Sequence, residues 1–258
     1  TVPSQSEHAI IDAQIPLFNP VNPSEMIEFG LYGYAMSRFS GCWVGMKCVT
    51  DNVDSSASFT IDPAALNIAL PTDFEMPEGG LSIRWPDPPV EQEIRLYDYK
   101  INSVRAFTAG NNINRLVFDS KTPRFGIVTT GKAYLDTLQA LTNLGIDANE
   151  ADRLGLRLLK IGLPWPLEIN IVQKFAEDLE EILVVEEKRA VIEGQLKDIL
   201  YNLEAAKRPR VFGKCNEHGE QLLPSAGELT PSIIASVIAK RLKPFYHSDA
   251  IKKHLRFL

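Results

Sequence analysis

Four neighbours near the start of the chain, Ser4, Ser6, Glu7 and His8, bring together a hydroxyl, a carboxylate and an imidazole. Those are the parts of an acid–base or nucleophilic centre. Chain neighbours rarely assemble one, because the roles need convergent geometry rather than adjacency. The loop is therefore no catalytic centre by itself, and Ser4, Ser6 and Glu7 stand as candidates for contact with a substrate inside a complete enzyme. Cys215-x-x-His218 has half the spacing of a zinc site but no second pair to finish it. Cys42 and Cys48 read as ordinary buried thiols. Three scattered cysteines cannot supply the four ligands of an iron–sulfur cluster.

Two further sets sit where strands give way to loops. Thr129-Thr130-Gly131-Lys132 lies between an apolar run and a helical pattern, where backbone donors and a helix dipole can hold an anion. It lacks the first glycine and the hydroxyl after lysine of a phosphate loop, and the plainer reading is a tight strand–helix turn. Glu186 and Glu187 end the run EILVVEE, at the carboxyl edge of a strand, where sites and contacts gather in α/β sheets. Followed by Lys188 and Arg189, they are either a solvated, mutually paired corner or a contact to another domain or subunit. The basic run Lys207-Arg208-Pro209-Arg210 reads as a solvated connection in a chain that is acidic as a whole.

The elements that must position these residues are clearest between Phe125 and Glu204. FGIVTT, LRLLKIG, EILVVEE and RVFGK are short apolar runs, and helical patterns alternate with them. The first has Tyr134, Leu138 and Leu141 on one face and ends near Gly145, where a left-handed stop would sit. The second has Val172, Phe175, Ala176 and Leu179, and the third Ile192, Leu196, Ile199 and Leu203. Alternation of this kind predicts a parallel sheet covered on both faces. Upstream, Pro16 and Pro20 break an amphipathic stretch. Asn22 or Ser24 can cap a helix running to about Ser40, with Met26, Phe29, Tyr32 and Met36 on one stripe and Gly41 as its stop. CWVGMKCVTD alternates like a strand. FTIDPAALNIALP holds two strand candidates. Pro and Gly then crowd residues 71–92, where regular structure should fail, and Trp85 is placed to pin that segment to a neighbour. Residues 91–110 form a helical pattern with Ile94, Tyr97, Ile101, Val104 and Ala106 or Phe107 inward. A helix from Pro231, capped by Thr230, and a basic helix near Ala250 finish the chain.

Composition sets outer limits. The 258 residues suffice for one large domain or two ordinary ones, and 45% hydrophobic with 23% charged residues is ordinary for a globular protein. A net charge of −6 argues against general nucleic-acid binding, which needs an excess of Lys and Arg. No apolar run approaches the roughly 20 residues of a membrane helix, and no signal peptide stands at the N-terminus. With an odd cysteine count and no paired spacing, a cytoplasmic location is expected. The start Thr1-Val2-Pro3 enters directly on structured-looking sequence, so an excised piece of a longer protein is expected too.

IVTTGKAYLDTLQAL, GLRLLKIGLPWPLEINIV and ILVVEEKRAVIEGQL, in that order and spacing, resemble the C-terminal domain shared by transketolase, the pyruvate dehydrogenase beta subunit and the 2-oxoacid ferredoxin oxidoreductases. The wording LLKIGLPWPLE is most similar to the last group, and within it to the large, multidomain indolepyruvate ferredoxin oxidoreductases. TVPSQSE, IP, PVNPSE, SRFSG and WVGMK resemble the closing part of that family's pyrimidine-binding domain. VTDNVDSS stands where more distant members carry an Arg- and His-containing turn, so that turn's roles do not transfer.

The resemblance implies a three-layer transketolase C-terminal-like α/β domain with a mostly parallel sheet, preceded by the end of a second α/β domain. The expected division is 1–70 for the end of a pyrimidine-binding-like domain, 71–123 for a linker and long helix, and 124–258 for the transketolase C-terminal-like domain with its terminal helices. It implies a parent enzyme that uses thiamine diphosphate, Mg and iron–sulfur clusters to decarboxylate a 2-oxoacid, with ferredoxin and CoA as partners and a homo-oligomeric state. The fragment should bind none of these cofactors. The glutamate that activates the cofactor's aminopyrimidine should lie upstream, and Gly110-Asn111-Asn112 lacks the Asp-bearing half of the diphosphate signature. The role left to this chain is architectural, with Glu186 and Glu187 as contacts to the remaining domains and no membrane or nucleic-acid partner. The alternatives are a free-standing α/β binding or interaction module, and a subunit of a decarboxylating 2-oxoacid dehydrogenase, against which LLKIGLPWPLE speaks.

Overall fold

A computed structural model of the chain describes residues 5–60 and 67–246. Ser4, part of the strand candidates in FTIDPAALNIALP and the basic helix near Ala250 lie outside these residues. The chain divides into two compact units, residues 1–114 with 162–168, and residues 115–161 with 169–258.

Unit 1 carries helix α1 (Glu7–Asp12), strand β1 (Leu17–Phe18), helix α2 (Pro23–Ser40), strand β2 (Gly45–Met46) and the short helix α3 (Thr50–Val53). It ends with helix α4 (Pro89–Ile94), a π-helical segment at 95–100 and helix α5 (Ile101–Gly110). The Asn22 side chain accepts from Glu25 N at 3.0 Å and starts α2. Gly41 ends it at φ 67°, where a Cβ would lie 2.1 Å from the Leu81 carbonyl oxygen, so only glycine fits. Phe29, Tyr32 and Met36 of α2 pack with Phe18, Val104, Phe107 and Leu163 into one apolar core. The strand expected across CWVGMKCVTD is two residues long, and residues 59–60 and 67–70 form no strand.

The long helix departs from its expected stripe. Ile101, Val104 and Phe107 are buried as the pattern requires, whereas Ile94 and Tyr97 are 50% and 53% exposed. The π segment explains the change, because each widened turn rotates the face preceding it out of line with the face that follows. Residues 71–88 form neither helix nor strand. Trp85, expected to be pinned, is 90% exposed. The helix through Phe107 packs into the core of unit 1, and the division between units falls after Asn114 rather than within 71–92.

Unit 2 holds strands β3 (Arg115–Phe118) and β4 (Phe125–Thr130), helices α6 (Lys132–Asn143) and α7 (Ala148–Leu154), and strand β5 (Leu156–Ile161). Helix α8 (Ile169–Ala176), strand β6 (Glu181–Val185), helix α9 (Ile192–Tyr201), strand β7 (Arg210–Phe212) and helix α10 (Pro231–Leu242) follow. The sheet order is β3-β5-β4-β6-β7, parallel except for β3 at one edge. Every residue of β4 and β6 is buried, as strands covered on both faces require. One layer of helices packs on Phe125, Ile127, Leu156, Leu158, Leu183 and Val185, and includes α6, α7 and α10. On the other face Gly126 lies so close to α8 that a Cβ would come within 2.7 Å of Phe175. The three-layer α/β reading therefore holds. Periodicity had pointed to neither α7 nor the antiparallel β3.

Candidate functional site

Parallel strands put their carboxyl ends together, and in unit 2 this edge collects the residues the motifs pointed to. Gly131, at φ 53°, turns β4 into α6. The Thr130 hydroxyl donates to Ile161 O at 2.7 Å, tying β4 to β5. Thr129 Oγ1 is buried without a partner among the described residues. Lys132 reaches Asp136 at 2.7 Å and Glu228 at 2.8 Å. Burial works to lower the pKa of its ammonium, and the hydrogen bonds to these two carboxylates overcome that and raise it. A lysine so matched has no charge to spare for a phosphate, so the tight-turn reading of this motif is the better one.

At the end of β6, Glu186 is buried and turned inward. One carboxylate oxygen accepts from Val191 N at 3.0 Å and Ile192 N at 2.9 Å, the other from Glu193 N at 3.0 Å. It thus satisfies the orphan donors at the start of α9. Burial drives its pKa up, against the pull of these donors and of Lys214. Lys214 in turn donates to the Glu186 carbonyl at 2.5 Å, and burial holds its own pKa down. Glu187, half-buried, accepts from Leu229 N at 3.2 Å, and burial raises its pKa too. Lys188, at φ 58°, donates to Gly227 O at 2.6 Å. Glu187 therefore reaches beyond residue 204, but to a partner inside its own unit. The edge is a brace in which carboxylates and ammonium groups pin the loops at 186–191 and 224–229.

The N-terminal candidates in unit 1 are built differently. Ser6 precedes α1, exposed, and its carbonyl accepts from Ile10 N at 3.1 Å. Glu7 is buried and ion-paired with Lys47 at 2.5 Å, which ties α1 to the end of β2. His8 Nε2 finds no partner among the described residues. Lys47 was missed in the sequence. Its signal was a lone lysine closing the apolar WVGMK with a carboxylate-bearing helix upstream.

Lys160 was missed as well. It sits inside β5 with 1% exposure, its ammonium 5.0 Å from the centre of the Tyr134 ring. Burial pulls its pKa down to about 8. A lysine within a run expected to be buried on both faces was a legible sign of such a group. Cys42 is buried, its thiol pKa pushed up by burial, but Cys48 is exposed, contrary to expectation, because β2 ends before reaching it. Cys215 and His218 lie in an exposed turn closed by Leu222 N to Lys214 O at 2.8 Å.

The model of the indolepyruvate oxidoreductase domain matches residues 115–258, more than half of the chain. The chain belongs to the indolepyruvate oxidoreductase domain family. The indolepyruvate oxidoreductase subunit IorA of Thermococcus kodakarensis is 23% identical over 237 residues, 89% of this chain and 33% of the relative. Its counterpart from Pyrococcus horikoshii is 32% identical over 123 residues, 46% of this chain and 16% of the relative. The chain thus spans a third or less of these relatives. A solved 2-oxoglutarate:ferredoxin oxidoreductase from Magnetococcus marinus shares the fold at a TM-score of 0.50 and 13% identity, over 88% of this chain and 42% of that one.

The indolepyruvate oxidoreductase family resemblance implied thiamine diphosphate, Mg and iron–sulfur clusters. The donor set does not fit the two metal groups. Among the described residues no three His, Cys, Asp or Glu side chains converge as a metal would need, and the three thiols do not cluster. No helix among the described residues is long and apolar enough to cross a membrane.

Proposed function

We propose that this chain is the architectural part of a thiamine-diphosphate-dependent 2-oxoacid ferredoxin oxidoreductase acting on indolepyruvate. The observation that carries the reading is the family match over residues 115–258, joined to a relative that aligns with 89% of this chain and of which the chain spans only 33%. Unit 1 would be the closing part of the pyrimidine-binding domain and unit 2 the transketolase C-terminal-like domain. The parent enzyme would pass electrons through iron–sulfur clusters to ferredoxin and form an acyl-CoA, in the cytoplasm and as a homo-oligomer.

In this reading the chain's own residues hold and orient. The Glu7–Lys47 pair fixes the loop bearing Ser6, which would place Ser6 and Glu7 close to substrate once the remaining domains are present. Glu186 and Lys214 brace the carboxyl edge of unit 2, and the half-buried Glu187 with the exposed Glu228 would face those domains. The test is turnover and binding side by side. The complete enzyme should reduce ferredoxin with indolepyruvate. Titrated calorimetrically with thiamine diphosphate and Mg²⁺, the 258-residue chain should show affinity of roughly millimolar or weaker. Micromolar binding by this chain, or indolepyruvate decarboxylation by it, would overturn the architectural assignment.

A further inference from the structure

Helix α6 begins with positive charge upon positive charge. Its amino end carries the partial charge of the helix dipole, no acidic residue stands in its first turn, and Lys132 is its first residue. Gly131 before it has no side chain to accept from the first-turn amides. A twelve-residue helix with such a start calls for an anion, and the chain answers with two carboxylates on Lys132. Asp136 belongs to α6 itself, whereas Glu228 comes from the loop before α10. Glu228 is loosely placed for the task. Its side chain is 64% exposed, in an exposed tip at 225–228 between the buried anchors Leu223 and Leu229. Exposed ion pairs are weak, so another anion can compete for Lys132.

Under the same turn lies a polar group that the fold leaves unanswered. Thr129 is 0% exposed, and its Oγ1 has no partner among the described residues. It follows Ile127 by two in β4, so it points to the face on which Ile127 packs with Ala133 of α6. Its register partners are Lys160 and Val185, and Lys160 holds its ammonium 5.0 Å from the ring of Tyr134 in that first turn. Buried hydroxyls are nearly always bonded, and one left over beneath a helix start marks a place for an acceptor.

We propose that Glu228 is an internal stand-in, and that the start of α6 takes the carboxylate of a small organic acid in its place, held by Lys132, the first-turn amides and the Thr129 hydroxyl. Entry requires the tip at 225–228 to swing outward and Lys188 to release Gly227 O, which it holds at 2.6 Å. A carboxylate suits the place better than a phosphate. The group already accepted there is a carboxylate with one charge. A phosphate dianion would bring a second charge towards Asp136 and towards Glu187, which shares the field of Lys132. The site lies within unit 2 and stands whether or not the parent enzyme acts on indolepyruvate.

Acetate is the probe, titrated at constant ionic strength into the 258-residue chain while the Lys132, Ala133 and Tyr134 amides are followed by NMR. Glu228→Gln keeps the shape of the stand-in and removes its charge. Acetate should bind this variant at least about tenfold more tightly than the unchanged chain, because a tethered competitor at high effective concentration is gone. Thr129→Val deletes the hydroxyl at nearly constant volume, and in the Glu228→Gln background it should take back most of that gain. Thr129→Ser keeps the hydroxyl and should retain the gain, which separates a lost donor from a disturbed fold. Three results overturn the proposal. Equal affinity in the unchanged and Glu228→Gln chains would mean that Glu228 stands in for nothing. A gain that survives Thr129→Val would leave a lysine that attracts anions and no built site. Phosphate binding more tightly than acetate at the same ionic strength would exclude the carboxylate as the intended group.

Discussion

Lys160 shows what one residue inside a sheet can do to the pH dependence of a fold. Its folded pKa is about 8 against the ordinary lysine value of 10.5. Between those values the unfolded chain holds the extra proton, so stability rises with pH across that window. Below about pH 8 the buried ammonium costs the fold at most about 3 kcal/mol. Lys160→Met should therefore stabilise the chain at pH 7 by up to about 3 kcal/mol, with a gain that shrinks toward zero near pH 10.5. Urea unfolding of both proteins at pH 7 and pH 10 measures it. A gain independent of pH would mean that packing rather than charge sets the cost. The Tyr134 ring beneath the ammonium offsets part of the penalty, and the measured gain will report how much.

Among the elements, α10 is held by an ion pair at the opposite end of the sheet. Arg241 donates from Nε and Nη2 to the two oxygens of Glu181, each at 2.6 Å, and its guanidinium lies 4.3 Å from the centre of the Phe212 ring. Glu181 opens β6 with 1% exposure, so the pair joins strand, helix and β7 in one contact. Arg241→Ala should cost about 3–5 kcal/mol, because the carboxylate would remain buried with only Arg210 to answer it. Thermal unfolding followed by circular dichroism is the check, and a loss below about 1 kcal/mol would show that Arg210 suffices. The double variant Glu181→Leu/Arg241→Leu should recover most of the loss, since a matched apolar replacement leaves no stranded charge.

For the whole molecule, the segment 71–92 is where protease should enter first. Residues 71–88 carry no regular structure, and Trp85 and Ile83 are 90% and 81% exposed. Trypsin has Arg84 within reach there, half-buried and paired with Asp87 at 2.9 Å. Limited proteolysis read by mass spectrometry should give a cut in 71–92 before any in 125–205. The reverse order would mean that the exposed segment is held more firmly than its irregular backbone indicates.

Much of unit 2 was legible because burial on both faces leaves its mark on composition. FGIVTT and EILVV are continuous apolar runs, and α6, α8 and α9 repeat their apolar positions at helical spacing. The capping signals at Asn22, Gly41 and Thr230 were legible for a related reason, being local chemistry between a residue and its own helix. What the sequence could not settle depended on partners distant along the chain. Four residues at an edge are too few to show periodicity, so β3 declared itself only through its ladder with β5. The π segment that turned Ile94 and Tyr97 outward is a matter of backbone register, not of residue type. Glu186 and Glu187 looked alike in one dimension. The loop that follows β6 turned the first under α9 and set the second against Leu229, and the partners of both lie on segments that only the fold brings to that edge.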